Sequence, residues 1–281
     1  MKALQCTELG GPEKLQVNEI DAPEVVPGHV VIDVKSGSIN FPDVLMIQGL
    51  YQFQPPLPFI PGGESAGVIS EVGEGVTKFK EGDKVFAMTG VGAFAEKILA
   101  AESNCMPIPE SMDFDSAAAL SMTYGTSLYA LKQRASLQPG ETLLVLGASG
   151  GVGLAAIELG KAMGAKVIAA ASTQDKIDMC LSHGADEGFI YPSSNLDRDQ
   201  QKELSNKIKE LTGGLGPNVI YDPVGGSYAE PCLRSIAWEG RYLVIGFAAG
   251  ADQIPKMPLN LTLLKGCQIV GVFWGAWVGG F

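Results

Sequence analysis

Residues 147–153, Gly147-Ala148-Ser149-Gly150-Gly151-Val152-Gly153, have the types and spacing of a segment that holds an anion through its backbone. Gly150 lets the main chain approach a pyrophosphate, and Gly153 lets a following helix pack close to the preceding strand. A helix that starts here offers the unpaired N–H groups of its first turn to the anion. The flanks support this. Thr142 to Leu146 reads as a buried strand, and Val152, Ala155, Ala156, Leu159 and Met163 recur at helical spacing until Gly164 ends the pattern. Ala148 replaces the first glycine of G-x-G-x-x-G, so the motif here is A-x-G-x-x-G. A plain strand–helix turn uses similar residues, but with these flanks the segment reads as the site of a dinucleotide.

The next chemistry lies at the end of the following strand. A cofactor with free ribose hydroxyls is held there by Asp or Glu, but the end of this strand reads Ala169-Ala170-Ala171-Ser172. The first acid, Asp175, already belongs to the N-terminal turn of the next helix, and Lys176 sits beside it. A helix N-terminus disfavours a cation, and a phosphate on the adenine ribose compensates for it. A solvated surface lysine is the plainer alternative. The missing acid favours NADPH over NADH.

Other chemistries are weakly supported. Cys6, Cys105, Cys180, Cys232 and Cys267 lie far apart, and His29 and His183 have no metal-like spacing, so no metal site is expected. Scattered thiols suit a reducing compartment. The N-terminus has no apolar signal core, and no apolar run reaches membrane-spanning length. A cytoplasmic protein without membrane contact is therefore expected, or an organellar one if a presequence has been removed. The net charge of −11 argues against nucleic acid as partner.

The elements that must position these residues fall into two groups. From Met1 to about Leu99 short strands alternate with turns. Val30, Ile32 and Val34 alternate with Val31, Asp33 and Lys35, and further strands run over Val68–Val72, Lys84–Met88 and Ala93–Ile98. This predicts a small barrel-like β unit. Asp113–Ala119 and Met122–Arg134 then read as helical. Beyond the glycine turn, strands at Lys166–Ala171, Phe189–Tyr191, Val219–Asp222, Arg241–Ile245 and Gln268–Phe273 alternate with helices at Thr173–His183, Lys202–Leu211 and Tyr228–Ala237. The pattern predicts an α/β fold with a doubly wound parallel Rossmann sheet, its ligand at the carboxyl ends of the strands.

Gly140-Glu141, Leu144 and the run Ala148–Gly153 resemble the signature of the zinc-independent quinone oxidoreductases, in the medium-chain dehydrogenase/reductase superfamily. Glu158 stands where that signature usually has Gln, ahead of a matching Lys161. Gly10-Gly11-Pro12-Glu13, Asn40-Phe41-Pro42-Asp43, Gly49-Leu50-Tyr51, Pro61-Gly62-Gly63-Glu64 and Gly82-Asp83-Lys84-Val85 extend the resemblance along nearly the whole chain. It implies a GroES-like β-barrel domain at 1–123, a Rossmann NADPH-binding domain at 124–273 and a return segment at 274–281. Zinc-using relatives carry a Cys near 38–40 and a His before the Glu of Gly-His-Glu. Here Ser38, Ile39 and Asn40 fill the first place and Gly63 precedes Glu64. Reduction would then rest on positioning and hydrogen bonding.

The resemblance also implies roles for single residues. Asn40 and Tyr51 match catalytic positions, where an amide and a phenol hold a quinone or enone oxygen as charge develops. Asn40 also fits a turn former before Pro42, and Tyr51 a loop aromatic. A usual tyrosine corresponds to Leu45 and a usual arginine to Ile47. Thr126 matches a threonine near the nicotinamide ribose and also fits an ordinary helix start. Ser149, Gly150, Gly151, Val152 and Gly153 bind the pyrophosphate. Ser172, Lys176 and Tyr191 form the adenosine-phosphate pocket, although Tyr191 also fits strand packing. Gly246, Phe247, Phe273 and Trp274 lie at strand ends toward the nicotinamide, and sheet-end packing is their alternative. The strand Gln268–Phe273 matches one that pairs across a homodimer. Family members continue several dozen residues past Phe281, so the first domain is expected to lack its completing segment. The expected function is NADPH-dependent hydride transfer to a quinone or an α,β-unsaturated carbonyl. The alternatives are an enoyl thioester reductase and a shortened, non-catalytic NADPH-binding form.

Overall fold

The computed structural model describes residues 1–193 and 195–278. The chain divides into two compact units, one formed by Met1–Met122 with the residues from Gly275 onward, the other by Thr123–Trp274. Among the described residues no helix is long and apolar enough to cross a membrane.

The first unit holds β1 (Lys2–Cys6), β2 (Leu15–Glu19), β3 (His29–Gly37), α1 (Phe41–Ile47), β4 (Glu64–Val72), β5 (Lys84–Met88), β6 (Lys97–Ala101), β7 (Cys105–Pro107) and α2 (Phe114–Ala118). Five strands form an antiparallel sheet in the order β6-β3-β4-β5-β7, and β1 and β2 pair separately. Register shifts after Val31 and Val34 bend β3 along β4. Val30, Ile32, Ile69, Val85 and Ala87 pack on one face of the curled sheet, while Ala66, Phe86, Ala117 and Ala118 pack on the other. Burial on both faces explains one departure from the sequence pattern. Val31 is as buried as Val30 and Ile32, so an alternation in exposure begins only at Val34. The strand expected at Ala93–Ile98 lies instead at Lys97–Ala101, because Ala93 and Phe94 bond to the loop carbonyls of Gly62 and Pro61.

The second unit begins in a widened helical run of three consecutive pieces, Ser121–Gly125, α3 (Thr126–Leu128) and Tyr129–Arg134. There follow β8 (Thr142–Val145), α4 (Gly151–Ala162), β9 (Lys166–Ala171), α5 (Gln174–Ser182), β10 (Glu187–Ile190), α6 (Arg198–Leu211), β11 (Val219–Asp222), α7 (Ala229–Ser235), β12 (Arg241–Val244), α8 (Asn260–Lys265), β13 (Gln268–Gly271) and α9 (Trp274–Trp277). All sheet pairings here are parallel, in the order β10-β9-β8-β11-β12-β13. With β8 counted as first, this is the doubly wound order 3-2-1-4-5-6. Leu143, Val145, Val167 and Ala169 enter one core, and Leu144, Leu146, Ile168 and Ala170 enter the other. Two buried faces are why these strands read as unbroken apolar runs.

Candidate functional site

The turn after β8 is built by its own backbone. Gly147 takes a positive φ of 54°, so the left-handed residue is Gly147 and Ala148 can carry a side chain. Ala148 N–H donates to Ala170 O at 3.1 Å and Gly150 N–H to Gly147 O at 3.0 Å. A Cβ on Gly153 would lie 2.6 Å from Gly147 O and 2.7 Å from Ala148 O, closer than a methyl group tolerates. Gly150 is the N-cap of α4 and supplies no side-chain acceptor. Helix geometry therefore leaves the N–H groups of Gly151, Val152 and Gly153 without an intrahelical partner, at the positive end of a twelve-residue helix. These residues fit an anion.

Two buried side chains that the sequence did not single out hold this turn. Ser127 Oγ donates to Val152 O at 2.9 Å, and its one proton being spent there, Tyr221 Oη donates to Ser127 at 2.8 Å. The neighbouring Thr126 is buried within the continuous helical run, so it is not a helix-start residue.

At the end of β9 Lys176 Nζ donates to Ser172 Oγ at 3.0 Å. Thr173 caps α5 by accepting the Lys176 N–H at 3.4 Å. Among the described residues no carboxylate pairs with Lys176. Ser172 and Lys176 are thus brought together on the surface. Tyr191 is buried, its ring centroid 4.8 Å from that of Tyr228, and its hydroxyl accepts the Gly147 N–H at 3.2 Å. It supports the glycine turn from inside. Burial pushes its phenol up to about 12, so the hydroxyl keeps a proton to give.

The loops after β11 and β12 meet over a buried acid. Asp222 Oδ1 accepts the N–H groups of Val224 and Gly225 at 2.7 and 2.8 Å, and Tyr242 Oη donates to Asp222 Oδ2. Burial raises the Asp222 pKa against these bonds. Gly246 N–H donates to Asp222 O, and the Phe247 ring sits beside Gly225. Trp274 lies against Gly125, where a Cβ would be 2.6 Å from the indole, and 6.1 Å from the Tyr129 ring. Trp274 thus packs onto the helical run, whereas Phe273 is exposed. β13 ends at Gly271, two residues short of the expected Phe273.

In the first unit Asn40 is the N-cap of α1, a helix the sequence pattern did not disclose. The signals were present: Asn at the cap, Pro42 in the first turn and Asp43 at the third position. Asn40 N–H donates to Asp43 Oδ2 at 2.7 Å. Its side-chain amide nitrogen donates to Ser38 Oγ at 2.8 Å and to Glu64 Oε1 at 2.9 Å. Ser38 Oγ and Glu64 Oε1 lie on the same side of the Asn40 nitrogen, 2.6 Å from each other, so this pair fixes the amide in place. Tyr51 packs with Cys6, Met46, Ile47 and Phe59. Burial and then the Asp43 charge raise its pKa, so its hydroxyl is a hydrogen-bond donor and a poorer acid than a free phenol. Asp43 and Glu64 are both buried. Among the described residues no three His, Cys, Asp or Glu side chains cluster as metal ligands do.

The chain matches the family described as alcohol dehydrogenase GroES-like domain over residues 26–110 and the one described as zinc-binding dehydrogenase over 151–279. It is 40% identical over 277 residues to the quinone oxidoreductase-like protein 2 homolog of Nematostella vectensis, a match covering 98% of this chain and 73% of that protein. The quinone oxidoreductase of Pseudomonas syringae pv. Tomato DC3000 superposes with a TM-score of 0.88 at 32% identity, over 99% of this chain and 83% of that one. The quinone oxidoreductase of Thermus thermophilus, solved also as its complex with NADPH, gives 0.82 at 29% identity, over 99% and 82%. The expectation of a cut-short first domain is not borne out by these matches, which concern the residues present. Of the expected return segment, 279–281 lie outside the described residues. A parallel sheet in Rossmann order, a GroES-like curled sheet and relatives of this similarity agree: the chain belongs to the medium-chain dehydrogenase/reductase superfamily, with the quinone oxidoreductase-like proteins, and is an oxidoreductase.

Proposed function

We propose that this oxidoreductase uses NADPH, needs no zinc, and reduces a quinone or an α,β-unsaturated carbonyl compound. The observation that carries the cofactor choice is the Ser172–Lys176 pair at the end of β9, where an acid would stand in an NAD-type site. The Lys176 ammonium and the Ser172 hydroxyl would hold the ribose phosphate. The first-turn N–H groups of α4 would hold the pyrophosphate, with the protonated Tyr191 hydroxyl beside Gly147 as a further donor. Bound NADPH supplies a hydride from its nicotinamide ring. The Thermus thermophilus relative was solved with NADPH, which is consistent with this choice.

On the substrate side the chain offers hydrogen bonding where zinc-using relatives place ligands. Ser38 and Asn40 lie in a ring closed by Glu64, and Gly63 has no side chain. Tyr51 is the phenol suited to a developing oxyanion, and its raised pKa keeps it protonated throughout the neutral range. Protein and cofactor together would deliver hydride and hydrogen bond, with protons drawn from water. We further propose a homodimer formed along β13, a cytoplasmic location, and neither nucleic acid nor membrane as partner.

The test is NADPH oxidation with a quinone, an enone and an enoyl thioester as acceptors, with NADH as competing cofactor. Turnover with quinone or enone and a strong NADPH preference are expected. Lys176→Ala should raise KM for NADPH by about tenfold or more, the worth of a charge-assisted phosphate contact, and leave NADH almost unaffected. Faster turnover of the thioester would reassign the chain as an enoyl reductase, and NADPH binding without turnover would make it a binding protein. Equal affinity for the two cofactors would sink the NADPH assignment.

A further inference from the structure

Glu64 opens β4 and is 1% exposed. Three donors converge on its carboxylate. Oε1 accepts from Ser38 Oγ at 2.6 Å and from Asn40 Nδ2 at 2.9 Å, and Oε2 accepts the Met122 N–H at 2.8 Å. Ser38 Oγ in turn accepts from Asn40 Nδ2 at 2.8 Å, closing a ring of three side chains. The orientation of the amide follows: turned the other way, Asn40 Oδ1 would face the Glu64 carboxylate. Among the described residues no cation is ion-paired with Glu64. The carboxylate is matched by donors alone, and only a group that accepts at both oxygens can satisfy them. Glutamine would offer one oxygen and one NH2, leaving a buried donor facing a donor.

We propose that Glu64 is a positioning residue acting through Asn40 and Ser38: by holding both side chains it sets the direction in which the Asn40 amide is presented for substrate reduction. Residues 38–40, the cap of α1 and the start of β4 are joined by this one carboxylate, in the stretch where zinc-using relatives carry ligands. The effect on catalysis rests on the reductase reading above; the ring itself does not.

Two measurements separate the ring from the reaction. In protein labelled with 15N-asparagine, the Asn40 side-chain NH2 pair, assigned by its loss in Asn40→Ala, should exchange slowly with solvent. In Glu64→Gln it should shift and exchange faster. In turnover, Glu64→Gln should lower kcat about tenfold with KM for NADPH within about twofold, as expected for one orphaned buried donor. The double variant Glu64→Gln/Asn40→Ala should be no slower than the slower single variant, because both act through one ring. If Glu64→Gln does not fold, Ser38→Ala removes one edge of the ring and should move the same resonances with a smaller loss of kcat. Unchanged Asn40 resonances, or additive losses in the double variant, would overturn the proposal. A wild-type protein that reduces no acceptor would refute the reductase reading, and the resonances would still decide whether Glu64 holds Asn40.

Discussion

Asp222 shows how a single buried group can tune stability at the ligand end of the sheet. Its carboxylate orders the turn after β11 through Val224 and Gly225 and ties it to β12 through Tyr242. Burial raises its pKa. A carboxyl whose folded pKa lies above its unfolded value contributes fully below the unfolded value and loses that contribution as pH rises through the folded one. Asn cannot ionise and can keep the acceptor that Val224 and Gly225 use. The stability of Asp222→Asn relative to wild type should therefore improve steadily as pH rises from about 4 to 8, read by urea unfolding at each pH. A constant difference across that range would contradict the assignment. Gly153 marks a steric limit at the same scale. With a Cβ pressed on two backbone carbonyl oxygens, Gly153→Ala should either shift α4 or cost about 1–3 kcal/mol of overpacking, and a fall in NADPH affinity should accompany it.

At the scale of elements, the widened helical run is tied to its neighbours within the second unit at several points. Near its start Tyr124 donates to Glu158 Oε2 at 2.5 Å, and His183 Nδ1 pairs with Glu158 Oε1 at 2.6 Å. The departure from the family's usual Gln at 158 is thus absorbed by two partners on neighbouring elements. In the middle Ser127 is bonded to α4. At its end the Ala135 carbonyl accepts from Arg241 Nε, and the guanidinium grips Glu141 with two bonds of 2.8 and 2.6 Å. Burial pushes the Glu141 carboxyl up, but the Arg241 hydrogen bonds outweigh it and hold the pKa below the ordinary range. Arg241→Ala strands a mostly buried carboxylate and should cost about 3 kcal/mol in denaturant unfolding. The wild-type advantage should shrink on acidification, as Glu141 takes up its proton. A loss below about 1 kcal/mol would mean that water reaches Glu141 freely.

For the molecule as a whole, among the described residues β13 is one edge strand of the parallel sheet, with a single strand partner, β12. Gln268 N–H bonds to Gly240 O and Val272 N–H to Val244 O, so at period two the N–H groups of Ile269 and Gly271 turn away from β12. Leu259, Leu263, Leu264 and Ile269 are exposed on or before this edge. The proposed homodimer would pair two such edges and cover them. Light scattering after size exclusion should give a dimer, and Ile269→Pro, which removes one outward N–H, should give a folded monomer. A monomeric wild type would refute this assembly.

Much of the chain is legible in the sequence because its signals are local. Unbroken apolar runs set between glycines and helical periodicity give the order of the second unit, and Gly153 announces the close packing that the structure contains. The empty acidic position at Ser172 and the lysine four residues on are equally plain, since one helical turn sets their distance. Helix α1 carries its cap, proline and acid but reads as a turn, because seven residues are too few to show a period. The long-range networks around Glu64, Asp222, Glu141 and Glu158 are not legible. Apart from local turn bonds such as those of Val224 and Gly225 to Asp222, their partners lie from 20 to 100 residues apart, and no spacing rule connects them. The sequence by itself therefore determined the parallel sheet and the glycine turn, which follow from chain-local sterics and hydrophobic pattern, while the superfamily was legible only as a resemblance of motifs. Only the tertiary structure decided which way the Asn40 amide faces, that Tyr191 supports the turn from within, and in which direction the Asp222 and Glu141 carboxyls are shifted, because burial and distant donors set those outcomes.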